Sequence, residues 1–383
     1  MSPENSKERP TITERETTSR NVSDILGGSP AAADDSHFYL ALVEGAGAGQ
    51  WIKVGDAPFT VGRDRHLDIV LPGTDVSRLH LLASVVDGSV IIEDLGSTNG
   101  TFIDGQRVAA RAVLPIGSLL RVGDHVFRCH RCSRREMERA VQEERDLERA
   151  ATYVRSLLAE PIRHGPINTE WIFRPSARLG GDAFGYNQLN AQTFAIYLFD
   201  VCGHGVGAAV HSISVLNVLR QAALPQTDFA NPIEVLTSLN AMFQMESHDQ
   251  RYFTMWYGVY DAVSRTMTYA SAAHHPGYLV PPDRSAALPL RTSGLMIGAL
   301  PDTRFTSAVA PVAPGSRLYL FSDGMFEVVR EGRQWRLDEF AELLHEPLIA
   351  DTAECQRLYG AVKATCPSGQ FEDDVSLLVV TFP

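Results

Sequence analysis

Residues 193–205 read TFAIYLFDVCGHG: an apolar run from Phe194 to Phe199 that ends on Asp200 and passes into a glycine-bearing turn. A short apolar run bounded by turn signals predicts a buried strand. The following residues, HGVGAAVHSISVLNVLRQAA, predict an apolar helix opening directly after the turn. Asp200 therefore sits at a strand tip, in front of a helix start. Three more aspartates occupy similar settings in the same half of the chain: Asp182 in GGDAFGY, Asp323 in FSDGMFE and Asp373 in EDDVS. Carboxylates scattered this widely, each beside an apolar stretch, predict strand ends that converge on one point. Without a counterion, each pair about 4 Å apart would repel by about 4 kcal/mol at an effective dielectric near 20. Such a set calls for divalent cations, and hard oxygen donors favour magnesium or manganese.

Outward from this stretch, strands and helices are mixed. NPIEVLTSLNAMFQM predicts a second helix with Asn231 as N-cap and Pro232 in its first turn. RYFTMWYGVYD and TMTYASAAHH form a predicted hairpin, SRLYLFSD another strand and DDVSLLVVTF the last. This order predicts a layered α+β domain over residues 161–383 rather than a doubly wound parallel sheet.

The N-terminal half has a different texture. Residues 1–36 are rich in Ser, Thr, Glu, Arg and Ala and poor in aromatics, and are expected to be a disordered arm. Residues 37–130 carry short β-type runs, among them FTVGR, LHLLASVVDGSVIIEDL and LLRVGDHVFRC, which predict a β-sandwich. Asp87-Gly88 is the hairpin signal within it, because both positions tolerate positive φ. Residues 131–160 are charged and helical. Met137, Ala140, Glu144, Leu147, Ala151, Val154 and Leu158 follow alternating three- and four-residue spacing, a heptad seam with one polar flaw at Glu144. A parallel dimer stalk and a single helix docked on a neighbouring domain both satisfy that pattern.

The 383 residues carry a net charge of −12, which argues against a nucleic-acid protein and suits cation binding. The N-terminus lacks a signal-peptide core and no apolar run approaches a membrane span. Five cysteines are too few and too odd for a disulfide framework, so a reducing cytoplasm is expected. Cys129 and Cys132 form a lone CxxC that reads better as free thiols than as a zinc site.

Three turn motifs mark the sandwich: Gly62-Arg63, Ser77-Arg78-Leu79-His80, and Gly96 to Thr101 (GSTNGT). Guanidinium forks and a hydroxyl suit a phosphate dianion. In this order and spacing they resemble a forkhead-associated (FHA) domain, a reader of phosphothreonine peptides. The resemblance implies that Arg63, Ser77, Arg78, Thr98 and Asn99 contact phosphopeptide, while His80 braces the loops from within. The ligand is either a phosphothreonine protein or the chain's own arm, where Glu16-Thr17-Thr18-Ser19 resembles the phosphorylated motif of small FHA regulators.

The C-terminal order GGD, DVxGHGxxAA, FSDGxxE and DDxS resembles the SpoIIE-like branch of the metal-dependent protein phosphatases (PPM family). That resemblance implies an α-β-β-α sandwich with two Mn2+ or Mg2+ ions at one edge that activate water against phosphoserine or phosphothreonine. It places Asp182, Asp200 and the Val201 carbonyl at the metal centre, completed by Asp323 and Asp373, with Asp374 ranked behind Asp373. Its usual substrate is a phosphoserine on a STAS-type antagonist of an anti-sigma factor, in signal transduction. Many relatives carry a further acidic residue where this chain has Gly185, which puts an outer metal contact in doubt. Arg174 and Arg178 are candidate phosphate ligands, with exposed strand arginines as the plainer reading. His204, His274 and His275 are read as packing residues. The competing function is a catalytically weak, phosphothreonine-dependent adaptor.

Overall fold

The computed structural model describes residues 35–203, 205–248, 250–330, 333–365, 371 and 373–383. The N-terminal arm with Thr17 and Thr18, and His204 of the GHG turn, lie outside the described residues. The chain divides into two compact units between Glu143 and Glu144.

The first unit is an all-β sandwich. One sheet takes the order Trp51–Val54, Ser36–Glu44, His125–Ser133, Leu119–Val122, Thr101–Ile103 and Gln106–Arg107. The other runs Ile69–Val70, Phe59–Gly62, Leu81–Val86, Ser89–Asp94 and Arg111–Leu114. Alternation fills the space between them: Leu81, Ala83, Val90 and Ile92 from one sheet meet Leu40, Leu120, Val122 and Phe127 from the other. The Asp87-Gly88 hairpin forms as expected, with both residues at positive φ (49° and 70°) and Val86 paired with Ser89. Cys129 is buried in this core and Cys132 is not. Three positions apart on one strand, they face opposite ways, so the CxxC is not a metal pair.

The helix Arg134–Leu157 crosses the division, and its second half belongs to the C-terminal unit. There Leu147, Ala151 and Val154 of the predicted seam pack against Leu179, Ala209 and Ile213, and Leu158 joins the main core. The polar flaw at Glu144 has a partner: its carboxylate pairs with Arg178.

The C-terminal unit is two antiparallel five-stranded sheets with helices outside. One sheet orders Asp182–Gln188, Thr193–Val201, Phe253–Asp261, Thr266–Ala272 and Ser307–Pro311. The other orders Asn168–Arg174, Val375–Thr381, Arg317–Phe321, Gly277–Val280 and Leu288–Leu290. The last strand shows why its sequence is almost wholly apolar. Leu378 and Val380 face the core shared by the two sheets, while Val375, Leu377 and Val379 face Phe340, Leu344, Leu358 and Val362 of the outer helical layer. On the other side, the helices Val206–Arg220 and Pro232–Met242 bury Val215, Leu216, Leu219, Val235 and Leu239 against the first sheet. Asn231 caps the second of these, its side chain accepting the Ile233 amide at 3.2 Å. The result is the expected α-β-β-α sandwich. Among the described residues no helix is long and apolar enough to cross a membrane.

Candidate functional site

Antiparallel pairing explains how four distant aspartates reach one place. Asp200 lies near the C-terminal end of its strand, and Asp182 opens the neighbouring strand that runs the other way; the two stand directly opposite each other. The second sheet repeats the device. Asp323 follows the end of Arg317–Phe321, and Asp373 precedes the start of its antiparallel neighbour Val375–Thr381. Ser322 locks these two ends: its amide donates to Ser376 O at 3.0 Å and its hydroxyl to Asp374 O at 2.9 Å, while the Ser376 amide returns to the Ser322 hydroxyl at 2.9 Å.

The electrostatics of this edge follow from crowding acids without bases. Burial raises the Asp182 carboxyl well above its ordinary range, and Asp200 and Asp374 add to the shift. Burial, with Asp323, Asp373 and Asp374, pushes Asp200 up to about 8. Burial, with Asp373 and Glu327, pushes Asp323 up to about 6. Asp373 itself is exposed. One oxygen of Asp182 (Oδ2) and one of Asp323 (Oδ1) are buried with no hydrogen-bond partner. Carboxyl oxygens orphaned inside a protein are costly to ionise unless a cation meets them. Among the described residues no three acidic, His or Cys side chains already close around a single point. Asp182, Asp200 and Asp323 nonetheless share one edge of the sandwich. The donor set of carboxylates and a backbone carbonyl fits hard divalent cations.

The turn before Asp182 is built around its two glycines. A side chain at Gly180 would run into the Asp374 carboxylate, and a Cβ at Gly181 would stand 2.6 Å from Val201 O. Bare backbone therefore lets the turn lie against both groups. Asp374, ranked behind its neighbour from sequence, is the residue that holds this turn. Its carboxylate accepts from Ser176 N at 2.7 Å, Ser176 Oγ at 3.1 Å and Gly181 N at 2.6 Å. Adjacent residues at a strand start point opposite ways, so only one of the DD pair could turn inward; which one was not readable from the sequence.

The remaining residues fall into place around this edge. Gly185 lies three residues along its strand, opposite Tyr197, and so on the other face from Asp182. A Cβ there would stand 2.5 Å from Tyr197 Oη, so packing against that ring leaves little room for a side chain. His274 is buried between Thr254 Oγ1 at 2.8 Å and Phe321 O at 3.3 Å, and His275 stacks on Phe321. Arg251, which the sequence reading missed, donates to Cys202 O at 3.3 Å beneath the glycine turn.

In the sandwich, the three turn motifs interlock. Thr98 N donates to Ser77 Oγ at 3.0 Å, and the Asn99 amide to Asp75 O at 2.8 Å. His80 is fully buried; its Nδ1 accepts the Ser77 amide at 3.1 Å, leaving Nε2 to donate to Gly100 O at 3.4 Å. Arg63 N donates to Ser77 O at 3.0 Å, and the Arg63 and Arg78 side chains are exposed. Asp94 also escaped notice. Its carboxylate accepts from Gly96 N, Ser97 N, Ser97 Oγ and Thr101 Oγ1 at 2.6–3.0 Å. Burial alone would raise this carboxyl, but those bonds hold it below the ordinary range. Its signal was the Asp-x-Gly-Ser run, a side-chain-capped turn.

The Stage II sporulation protein E (SpoIIE) family model matches residues 190–383, and the FHA domain model matches residues 59–123. The chain belongs to the SpoIIE family. This SpoIIE-family chain is 28% identical over 187 residues to the phosphoserine phosphatase RsbP of Bacillus subtilis, a match covering 48% of this chain and 45% of RsbP. It is 25% identical over 248 residues to the phosphoserine phosphatase RsbU of the same organism, covering 63% of this chain and 72% of RsbU. It thus spans less than half the length of RsbP. Among solved structures, the SiaA-PP2C domain of Pseudomonas aeruginosa superimposes with a TM-score of 0.54 at 19% identity, over 63% of this chain and 98% of that domain. That likeness concerns the fold.

Proposed function

We propose that this SpoIIE-family chain is a metal-dependent protein serine/threonine phosphatase whose FHA domain recruits it to phosphothreonine proteins. The observation that carries the reading is the convergence of Asp182, Asp200 and Asp323, from both sheets, at one edge of the sandwich, two of them with orphaned buried oxygens. Asp182, Asp200, Asp323, Asp373 and the Val201 carbonyl would hold two divalent cations, Mn2+ or Mg2+. When bound, these supply activation of water near neutral pH and neutralisation of phosphoryl charge. The chain's own part is to hold the donors still: Ser322 ties the two strand ends, and Asp374 fixes the Gly180-Gly181 turn.

The substrate class is a phosphoserine or phosphothreonine protein, and the relatives' names favour phosphoserine; a STAS-type antagonist of an anti-sigma factor is the substrate this reading points to. In the sandwich, Arg63, Ser77, Arg78, Thr98 and Asn99 would take the phosphothreonine, and phosphorylated Thr17 or Thr18 of the chain's own arm is one source. Calorimetry with a phosphopeptide spanning Glu14 to Arg20 tests that source. The seam of Arg134–Leu157 leaves a homodimer stalk as a further reading for its upper half.

The decisive experiment is hydrolysis of para-nitrophenyl phosphate and of a phosphoserine peptide with Mn2+, comparing wild type with Asp200→Asn and Asp323→Asn. Loss in both variants is the expected result. Undiminished turnover in both would refute the metal edge, and an inactive wild type would favour the adaptor.

A further inference from the structure

The C-terminal unit holds a second charged feature, of opposite sign to the aspartate edge. A cleft of about 710 Å3 opens between the helix Arg134–Leu157 and the loop that follows the strand Asn168–Arg174, lined by Arg145, Arg149, Arg155, Arg174 and Arg178, with Thr152 among them. In a chain of net charge −12, five guanidinium groups on one cleft are a local reversal of sign.

The arrangement is built by two elements. Arg145, Arg149, Thr152 and Arg155 recur at three- and four-residue spacing, which puts them on one side of the helix. Leu147 and Val154 seat that helix against Leu179, Ala209 and Ile213, fixing the distance to the facing loop. Arg178 is paired with Glu144, and Arg149 lies 3.4 Å from Asp146. Among the described residues no carboxylate pairs with Arg145, Arg155 or Arg174, and Glu148 is the single acid in the lining. A solvated helix face would ordinarily intersperse its charges with acids at i+4, as the upper part of the same helix does with Arg134–Glu138 and Arg139–Glu143. The cleft breaks that habit on both walls at once.

We propose that this cleft is a binding site for a small polyphosphate anion. Guanidinium forks match phosphate oxygens bidentately, and several spaced forks favour a ligand with two or more linked phosphates over orthophosphate. The lining contains no aromatic ring to stack a base, so recognition rests on the phosphate chain, whether free or carried by a nucleotide. The loop that forms one wall is also the loop whose Ser176 is bonded to Asp374, so an occupant would tie the linker helix to the turn in front of Asp182. The site itself does not depend on the catalytic reading.

The test is calorimetry on the full chain in EDTA, with inorganic tripolyphosphate as probe. One equivalent is expected to bind, with affinity falling steeply with salt and orthophosphate binding about tenfold weaker or worse. Arg149→Ala and Arg174→Ala should each weaken binding by about tenfold, while Arg63→Ala and Arg78→Ala in the sandwich loops should leave it unchanged. ATP should bind no more than a few-fold differently from tripolyphosphate. Absence of binding overturns the proposal. So does unchanged binding in an Arg145→Ala/Arg149→Ala/Arg155→Ala variant with wild-type thermal stability, or loss of binding in the sandwich variants. Tighter competition by a poly-glutamate peptide would assign the cleft to an acidic protein segment and defeat the small-anion reading. ATP binding that greatly exceeds tripolyphosphate would defeat the claim that the phosphate chain alone is read.

Discussion

The Asp374 carboxylate accepts the backbone amide of Gly181 at 2.6 Å, joining residues 193 positions apart. With two further bonds from Ser176, it pins the turn that delivers Asp182 to the sheet edge. Replacing one oxygen by an amide group in Asp374→Asn would set a donor against a donor. The expected outcome is a folded protein whose Mn2+ requirement rises by about 10–100-fold, with turnover recovered at saturating metal. A Mn2+ titration of phosphate-ester hydrolysis checks it; an unchanged requirement with a lowered melting temperature would reduce Asp374 to a purely structural role.

Removing metal should expose the cost of the crowded edge. The folded-state values of Asp200 (about 8) and Asp323 (about 6) lie above the ordinary 3.8, so the folded chain binds more protons than the unfolded one. Their contribution to the stability of the metal-free form is therefore fully present below the ordinary carboxylate value and is lost as pH climbs through 6 towards 8. Melting curves in EDTA from pH 5 to 8 should show that decline, and saturating Mn2+ should raise the midpoint more at pH 8 than at pH 5. A metal-free midpoint that rises over this range would contradict the assignment.

The same repulsion predicts that Asp200→Asn gains stability while losing function. Relief of like charge in the metal-free chain should raise the melting temperature by about 2–4 °C, measured by differential scanning calorimetry in EDTA at pH 8, where Asp200 would otherwise ionise. A drop of similar size would mean that the Asp182–Asp200 contact is net favourable without metal.

Gly185 is tested by restoring bulk. Gly185→Ala places a Cβ against Tyr197 Oη and should cost about 1–3 kcal/mol. Tyr197→Phe, which removes an unpartnered buried hydroxyl, should recover part of that loss in the double variant. Strict additivity of the two substitutions would show that this contact does not explain the glycine.

In the sandwich, Asp94→Ala removes four hydrogen bonds that shape the Gly96 to Thr101 loop. A loss of about 2 kcal/mol in stability is expected, together with about tenfold weaker binding of a phosphothreonine peptide that the wild type binds. Unaltered affinity in the variant would show that the loop keeps its form without this carboxylate.

The sequence carried much of this within short windows. Apolar runs ending in Asp200 or Asp323, the Asp87-Gly88 hairpin and the Asn231 cap are local patterns, and each formed where its pattern stood. The motif order likewise identified both units. The polar break at Glu144 was visible as a flaw but not as a contact, since its partner Arg178 lies beyond the end of the helix.

Residue type and periodicity alone determined that acids would gather at strand ends, because alternation and turn chemistry act over a few residues. Tertiary structure decided which of Asp373 and Asp374 turns inward, that Gly185 backs onto Tyr197, and that five arginines share one cleft. Those outcomes depend on strand register and on helix seating, which are set by cooperative packing across the whole unit and leave no signature in any one segment.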